Sequence, residues 1–218
     1  MPRKNLAVLG GRSLVRRAID TTLASGAVEH VVLSSDDDEI LAEAEGTAAV
    51  ALRRPAELAT DTALAYDVAM HALGAMEDRT GVRYDALALV QGTTPFTRPT
   101  DVAAVVNLLS GEEVKSVVTV CRIEDTHHPL KLKRLEGDRL IPYLRDDKLT
   151  PSHELPELWT RNGAVYASRR EVLDTGTLVA GDVRAVPMPR SRSIDINTPL
   201  DLAFAEFLLT RKDPLTDD

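Results

Sequence analysis

The stretch Ala86-Leu87-Ala88-Leu89-Val90-Gln91-Gly92-Thr93-Thr94-Pro95 decides the fold. Five apolar residues in succession, with no polar alternation, read as a strand buried on both faces. The polar tip that follows lies at the carboxyl end of that strand, and a helical pattern over 101–109 comes next. Working outward, the same succession recurs. Towards the amino end stand a helix over 13–24, a strand over 30–34, a helix over 36–44 opened by acids, a weaker strand over 48–52 and a helix over 62–76. Towards the carboxyl end come a strand over 116–120, extended pieces at 164–166 and 184–188, and a helix over 199–210 with proline just inside its start. Strands alternating with helices imply an α/β fold whose mainly parallel sheet is covered on both faces. Ligands of such sheets bind at the carboxyl ends of the strands, where Gln91 stands.

The stretch 123–160 breaks this rhythm with histidines, prolines, charges and short extended pieces at 130–135 and 140–144. It reads as a hairpin-rich excursion, which divides the chain into a core over 1–122, an arm over 123–160 and a return to the core over 161–218. The polar tail from 212 to 218 is expected to fray.

Composition narrows the class of function. Over 218 residues, 44% are hydrophobic and 28% charged, the balance of a globular protein with a core. A net charge of −8 argues against nucleic acid as the main partner, and aromatics at 4% are too few for base-stacking platforms. An anionic small substrate remains open, because clustered cations can reverse the field inside one cleft. No apolar run approaches the roughly 20 residues of a membrane span. The single cysteine, Cys121, can form no internal disulfide, and a reducing cytoplasm is the expected setting.

Several short motifs carry chemistry, each with a plainer reading beside it. Ser34-Ser35-Asp36-Asp37-Asp38 after a strand reads as a metal- or hydroxyl-binding loop or, more simply, as a capped helix N-terminus. Arg53-Arg54-Pro55 places cations at a strand end where a polyphosphate would lie, or is a solvated pair at a turn. His127-His128 lacks a third ligand at helical spacing, so zinc is not expected there. Ser193-Ile194-Asp195-Ile196-Asn197-Thr198-Pro199 is the most informative. Extended alternation places Asp195 and Asn197 on one side and turns Ile194 and Ile196 away, a pair of oxygen side chains suited to Mg2+. The rival reading makes Asn197 a helix N-cap ahead of Pro199.

Taken together, RKN near the start, LRRPAELATDTA, QGTTP, HHPLK, RNGAVY and SIDINTPLD occur in one order that closely resembles the acylneuraminate cytidylyltransferases, from Pro2 to about residue 209. The resemblance implies a Rossmann-like nucleotidyltransferase fold. It also implies a reaction in which the anomeric hydroxyl of an acidic nine-carbon keto-sugar, of the nonulosonic-acid type, attacks the α-phosphate of CTP with Mg2+ as cofactor. By match to the motifs, Lys4, Asn5 and Arg54 would serve the nucleotide, and Gln91, Asn162 and Tyr166 the sugar. Asp195 would ligate the metal, with Asn197 beside it. The excursion would be the arm of a homodimer, from which Lys131 reaches the partner's site.

Three departures accompany the resemblance. The family's opening strand and its loop of the form ARGGSK do not precede Pro2, so an upstream start is expected. Without them, the 218 residues are expected to bind CTP poorly and to turn over at least about a hundredfold slower. Asn197 stands where the family commonly has a second metal carboxylate. Thr160 stands where an arginine is frequent, with Arg161 next to Asn162 instead. A transferase for the eight-carbon sugar Kdo, and an inactive relative acting as a binding subunit, are the alternative readings.

Overall fold

A computed structural model describes residues 1, 3–60, 62–144 and 151–211. Asp61 of the LATDTA motif, part of the arm (145–150) and the tail from 212 lie outside the described residues. Among the described residues, six α-helices and ten strands alternate much as the periodicity predicts. The helices are α1 (Leu14–Ala24), α2 (Asp38–Ala42), α3 (Ala65–Thr80), α4 (Pro99–Leu109), α5 (Arg170–Leu173) and α6 (Pro199–Thr210). The strands are β1 (Val8–Leu9), β2 (Arg12–Ser13), β3 (Val32–Ser35), β4 (Val50–Arg53), β5 (Ala86–Val90), β6 (Ser116–Arg122), β7 (Lys133–Glu136), β8 (Arg139–Pro142), β9 (Trp159–Arg169) and β10 (Val183–Pro187).

The principal sheet has the order β10-β6-β9-β5. Its pairing bears out the α/β sheet and adds one reversed strand. β10 lies parallel to β6, but β9 runs antiparallel to both β5 and β6, so the sheet is mixed. The physical reason is the connection: between β6 and β9 the described residues make 3-10 turns and the β7–β8 hairpin, with no crossover helix among them to carry the chain back to the starting edge. The antiparallel course of β9 brings its amino end, Trp159 to Gly163, to the edge where β5 and β6 end. α4 covers one face, burying Val102, Val105 and Leu109 against Val117, Ala164, Val165 and Ala167.

β3 and β4 pair in parallel as a separate two-stranded sheet. A cavity of about 600 Å3 lies between β3 and β5, lined also by Val15 and Ile19 of α1 and by Ala69, Leu73 and Met76 of α3. It explains a second departure from the sequence reading. β5, expected to be buried on both faces, has no buried residue: Ala86 is exposed and the other four are half-buried. A further unforeseen element is the β1–β2 hairpin, which turns at Gly10 and Gly11, both at positive φ, before α1.

Helix starts follow side-chain chemistry. Ser13 accepts from the Arg16 N–H at 3.1 Å and opens α1. Asp37 accepts from the Glu39 N–H at 2.8 Å and opens α2, so the acidic run after β3 does the work of a cap. α6 opens on a capping box of Thr198 and Asp201 with Pro199 next, which moves the cap one residue beyond the expected Asn197.

Candidate active site

The segment 193–198 connects β10 to α6, and its alternation is visible in its burial. Ile196 is fully buried with Leu9, Leu14 and Ala205, while Asp195 and Asn197 on either side are exposed. The Ile196 N–H donates to the Thr93 carbonyl at 2.8 Å, which fastens the segment to the loop after β5. The two polar side chains are thereby turned outward together: Asn197 Nδ2 donates to Asp195 Oδ2 at 2.7 Å. Lys4, remote in sequence, completes the group, its Nζ donating to Asn197 Oδ1 at 2.8 Å.

Asp201 holds this geometry from below. One of its oxygens accepts from the Asn197 N–H at 3.0 Å, the Thr198 N–H at 2.7 Å and the Thr198 hydroxyl at 2.9 Å. The two backbone hydrogen bonds, with the hydroxyl's third, keep its carboxyl below the usual carboxylate range.

The sugar-side candidates gather at the same edge. Asn162 is buried on β9, where its Nδ2 donates to Ser193 Oγ at 2.9 Å and its Oδ1 accepts from the Ala164 N–H at 3.2 Å. Gly163 follows at φ 79°, and a Cβ there would stand 3.6 Å from Gln91 Oε1, so Gln91 lies directly against this turn. A register break in β9 makes the turn possible. Tyr166 pairs with Val118 and Arg161 with Val120, which leaves an irregularity between them. Thr119 spans it, its hydroxyl accepting from the Val165 N–H at 2.9 Å and lying 3.2 Å from the Val165 carbonyl. Bulges of this kind re-aim side chains beside sites. Tyr166 lies deeper, opposite Leu89 and Val118 in the sheet.

The nucleotide-side candidates divide. Arg54, at the carboxyl end of β4, donates from Nη2 to the Ser34 carbonyl at 2.7 Å and lines the cavity with Asn5, Ser34, Ser35 and Asp36. Arg53 instead turns to Asp36 and Asp38. Lys131 stands apart: its Nζ donates to Ser152 Oγ at 2.9 Å within the excursion, and no described contact joins it to Asp195.

A pair that the motifs did not reveal braces the whole edge. Asp101, buried in the first turn of α4, accepts from the Arg98 N–H at 2.8 Å and from the guanidinium of Arg192, which is itself largely buried. Arg192 immediately precedes the segment that carries Asp195. An acid at the third position of a helix that opens on proline is a legible cap signal, but its partner 91 residues away is not.

For a metal, the pertinent fact is which oxygens are engaged. Asp195 Oδ1 has no hydrogen-bond partner among the described residues, whereas Asn197 Oδ1 is taken by Lys4. One carboxylate supplemented by phosphate oxygens and water suits a single Mg2+, and a neutral amide already bonded to an ammonium does not suit a second. Among the described residues, no group of three or more His, Cys, Asp or Glu side chains is placed to hold a metal ion from protein alone.

The family model described as Cytidylyltransferase matches residues 1–175. The chain belongs to the cytidylyltransferase family. This cytidylyltransferase is similar to the CMP-N,N'-diacetyllegionaminic acid synthase of Legionella pneumophila, at 28% identity over 220 residues that cover 96% of this chain and 90% of that one. It is 28% identical over 212 residues to the N-acylneuraminate cytidylyltransferase of Escherichia coli O18:K1:H7 and covers 49% of that relative, so it spans about half of that longer chain. Among solved structures, a CMP:2-keto-3-deoxy-manno-octonic acid synthetase complexed with CTP superposes with a TM-score of 0.68 at 16% identity, covering 96% of this chain and 92% of that one. The 4-diphosphocytidyl-2C-methyl-D-erythritol synthase of Anaerococcus prevotii does so at 0.66 and 16%, covering 95% and 93%. At these identities the two structures show a shared nucleotidyltransferase fold, in accord with the Rossmann-like architecture read from the sequence.

Proposed function

We propose that this cytidylyltransferase joins CTP to an acidic nine-carbon keto-sugar, releasing pyrophosphate. The observation that carries the reading is the chain Lys4–Asn197–Asp195 at the strand-end edge, set beside the buried Asn162 and Gln91. The names of the Legionella and Escherichia relatives support the choice of sugar class. In the reaction the anomeric oxygen bonds to the α-phosphorus, the bond from that phosphorus to its bridging oxygen breaks, and the hydroxyl proton passes to water.

Charge accumulates on phosphate oxygens, so the protein's task is positioning and electrostatic stabilisation. Lys4 and Arg54 meet the phosphates, Asn5 the nucleoside, and Gln91, Asn162 and Tyr166 the sugar. Asp195 orients the attacking hydroxyl and is the residue that would hold Mg2+, with Asn197 beside it. When bound, the ion supplies charge neutralisation at the phosphates. The test is CTP-dependent pyrophosphate release across a panel of eight- and nine-carbon keto-sugar acids. Release with a nine-carbon acid and formation of its CMP ester are expected; release confined to an eight-carbon acid, or absent throughout, would overturn the assignment.

The same reading takes the excursion as the arm of a homodimer, which carries Lys131 to the partner's site. Its hairpin has no core of its own: Leu135 is 69% and Leu140 71% exposed, one on each strand of β7–β8. Such apolar surface calls for a partner. Light scattering at micromolar concentration is expected to give twice the mass of the chain, and a monomer there would refute the arm. A reducing cytoplasm suits the lone Cys121, and no helix among the described residues is long and apolar enough to cross a membrane.

A further inference from the structure

We propose that Arg161 recognises the carboxylate of the sugar and so decides that an acid, rather than a neutral sugar, is accepted. The inference rests on the reading of the substrate as an acidic keto-sugar and adds a residue to its site.

The face on which Arg161 stands follows from the register of β9. Residues opposite one another in an antiparallel pair share a face of the sheet, and so do alternate residues of one strand. Tyr166 is opposite Val118 and Arg161 is opposite Val120, so Tyr166 and Arg161 share a face. They are five residues apart, an odd separation that a regular strand would send to opposite faces. The register break between Val118 and Val120 reverses the alternation. Leu89 is opposite Tyr166 on the other side, and Gln91, two residues on, continues the same face. The Gln91 N–H still bonds to the Ala164 carbonyl at 3.1 Å, which carries the ladder that far. The other face, with Val117, Val165 and Ala167, is closed by α4. Arg161 is thus turned to the side of Gln91 and Tyr166, two of the residues assigned to the sugar.

Its charge is also uncommitted. Arg161 is exposed, and its guanidinium has no hydrogen bond or ion pair among the described residues. The acids at this end of the sheet are already matched. Glu157 lies 3.9 Å from Arg122, Glu124 pairs with Arg190, and Asp101 pairs with Arg192. A cation is left over on the face where an anion would bind. The planar fork of guanidinium takes both oxygens of a carboxylate together.

Position selects the carboxylate over phosphate, the other anion of the reaction. In a 2-keto sugar acid the carboxylate is carried by the anomeric carbon, whose oxygen attacks the α-phosphorus. Its receptor must adjoin the residue that orients that oxygen. Arg161 immediately precedes Asn162, which is bonded to Ser193, two residues before Asp195. A cation there also offsets the repulsion between carboxylate and triphosphate as the two anions meet.

The test uses the full chain, one nine-carbon keto-sugar acid as substrate, and two competitive inhibitors that lack the attacking hydroxyl: the 2-deoxy acid and its carboxamide. In Arg161→Ala, kcat/KM for the acid is expected to fall at least about tenfold while KM for CTP moves less than about twofold. The parent should bind the 2-deoxy acid at least about tenfold more tightly than the carboxamide, and the variant should bind the two alike. Tm should move by no more than about 2 °C, since the side chain has no partner to lose. If the alanine variant does not fold, Arg161→Gln, which keeps length without charge, repeats the comparison. A preference for the acid that survives the substitution would overturn the inference. A rise in KM for CTP equal to that for the acid would place the guanidinium on phosphate and overturn it too. A parent that releases pyrophosphate with no keto-sugar acid would overturn the reading of the substrate and this inference with it, whereas an active parent with an unchanged variant overturns the inference alone.

Discussion

Replacing Asp195 with alanine is expected to lower pyrophosphate release at least about a hundredfold while moving Tm by no more than about 2 °C. The two halves of this result come from different features of one segment. Asp195 is exposed and, among the described residues, bonded only to the Asn197 amide, so its removal opens no cavity and strands no buried group. The anchoring of the segment belongs to Ile196 and the Thr93 carbonyl, which the substitution leaves in place. The loss therefore falls on charge placed for the reaction. Asn197→Asp sharpens the test: it adds a second carboxylate at the position bonded to Lys4 and should keep or strengthen the dependence on Mg2+. Turnover near that of the parent in Asp195→Ala would end the assignment.

The largest stability effect is expected at Asp101. Asp101→Ala should cost about 3–5 kcal/mol, the range for breaking a buried ion pair by removing one partner. Several losses combine there. The Arg192 guanidinium is left buried without its carboxylate, the Arg98 N–H loses its acceptor, and α4 loses its capping interaction. A fall in Tm of roughly 10 °C follows for a domain of this size. Removing both partners, as Asp101→Ala with Arg192→Met, should recover much of the loss, because no uncompensated charge then remains. A single-variant cost below about 1 kcal/mol in chemical denaturation would show that the pair is not the brace described.

How much of this could be read from the sequence depended on the range of the interactions. The span of β5, the span of α6 and the outward turn of Asp195 and Asn197 around Ile196 follow from period and local chemistry, and all three are present. The motifs at Lys4, Gln91 and Asn162 were legible as pieces; that Lys4 touches Asn197 and Gln91 lies against Gly163 depends on packing across most of the chain. The direction of β9 was hidden because an antiparallel and a parallel strand carry the same apolar pattern. β5 misled for a related reason: five apolar residues announce burial on both faces but do not say that a cavity lies along one side of the strand. The arginine bound to Asp101 left no signature, since nothing near Arg192 in sequence marks it as buried.

The break in pairing between Val118 and Val120 has a consequence for how such an enzyme can diversify. On either side of it β9 is held in register, by Trp159–Arg161 against β6 and by the run after Val165 against β5 and β6. Thr119 supplies from its hydroxyl the bonding that the ladder omits. Residues 162–164 are thus released from pairing with β6, although the Ala164 carbonyl still accepts from the Gln91 N–H, and they stand at the edge where the sugar is proposed to bind. Gly163 is constrained by its positive φ, Ala164 by its complete burial in the core under α4, and Asn162 by its bonds to Ser193 and the Ala164 N–H. A change of side chain at 162 or 164 therefore alters the edge and the packing beneath it together, so selection on which acid is accepted is tied there to selection on folding.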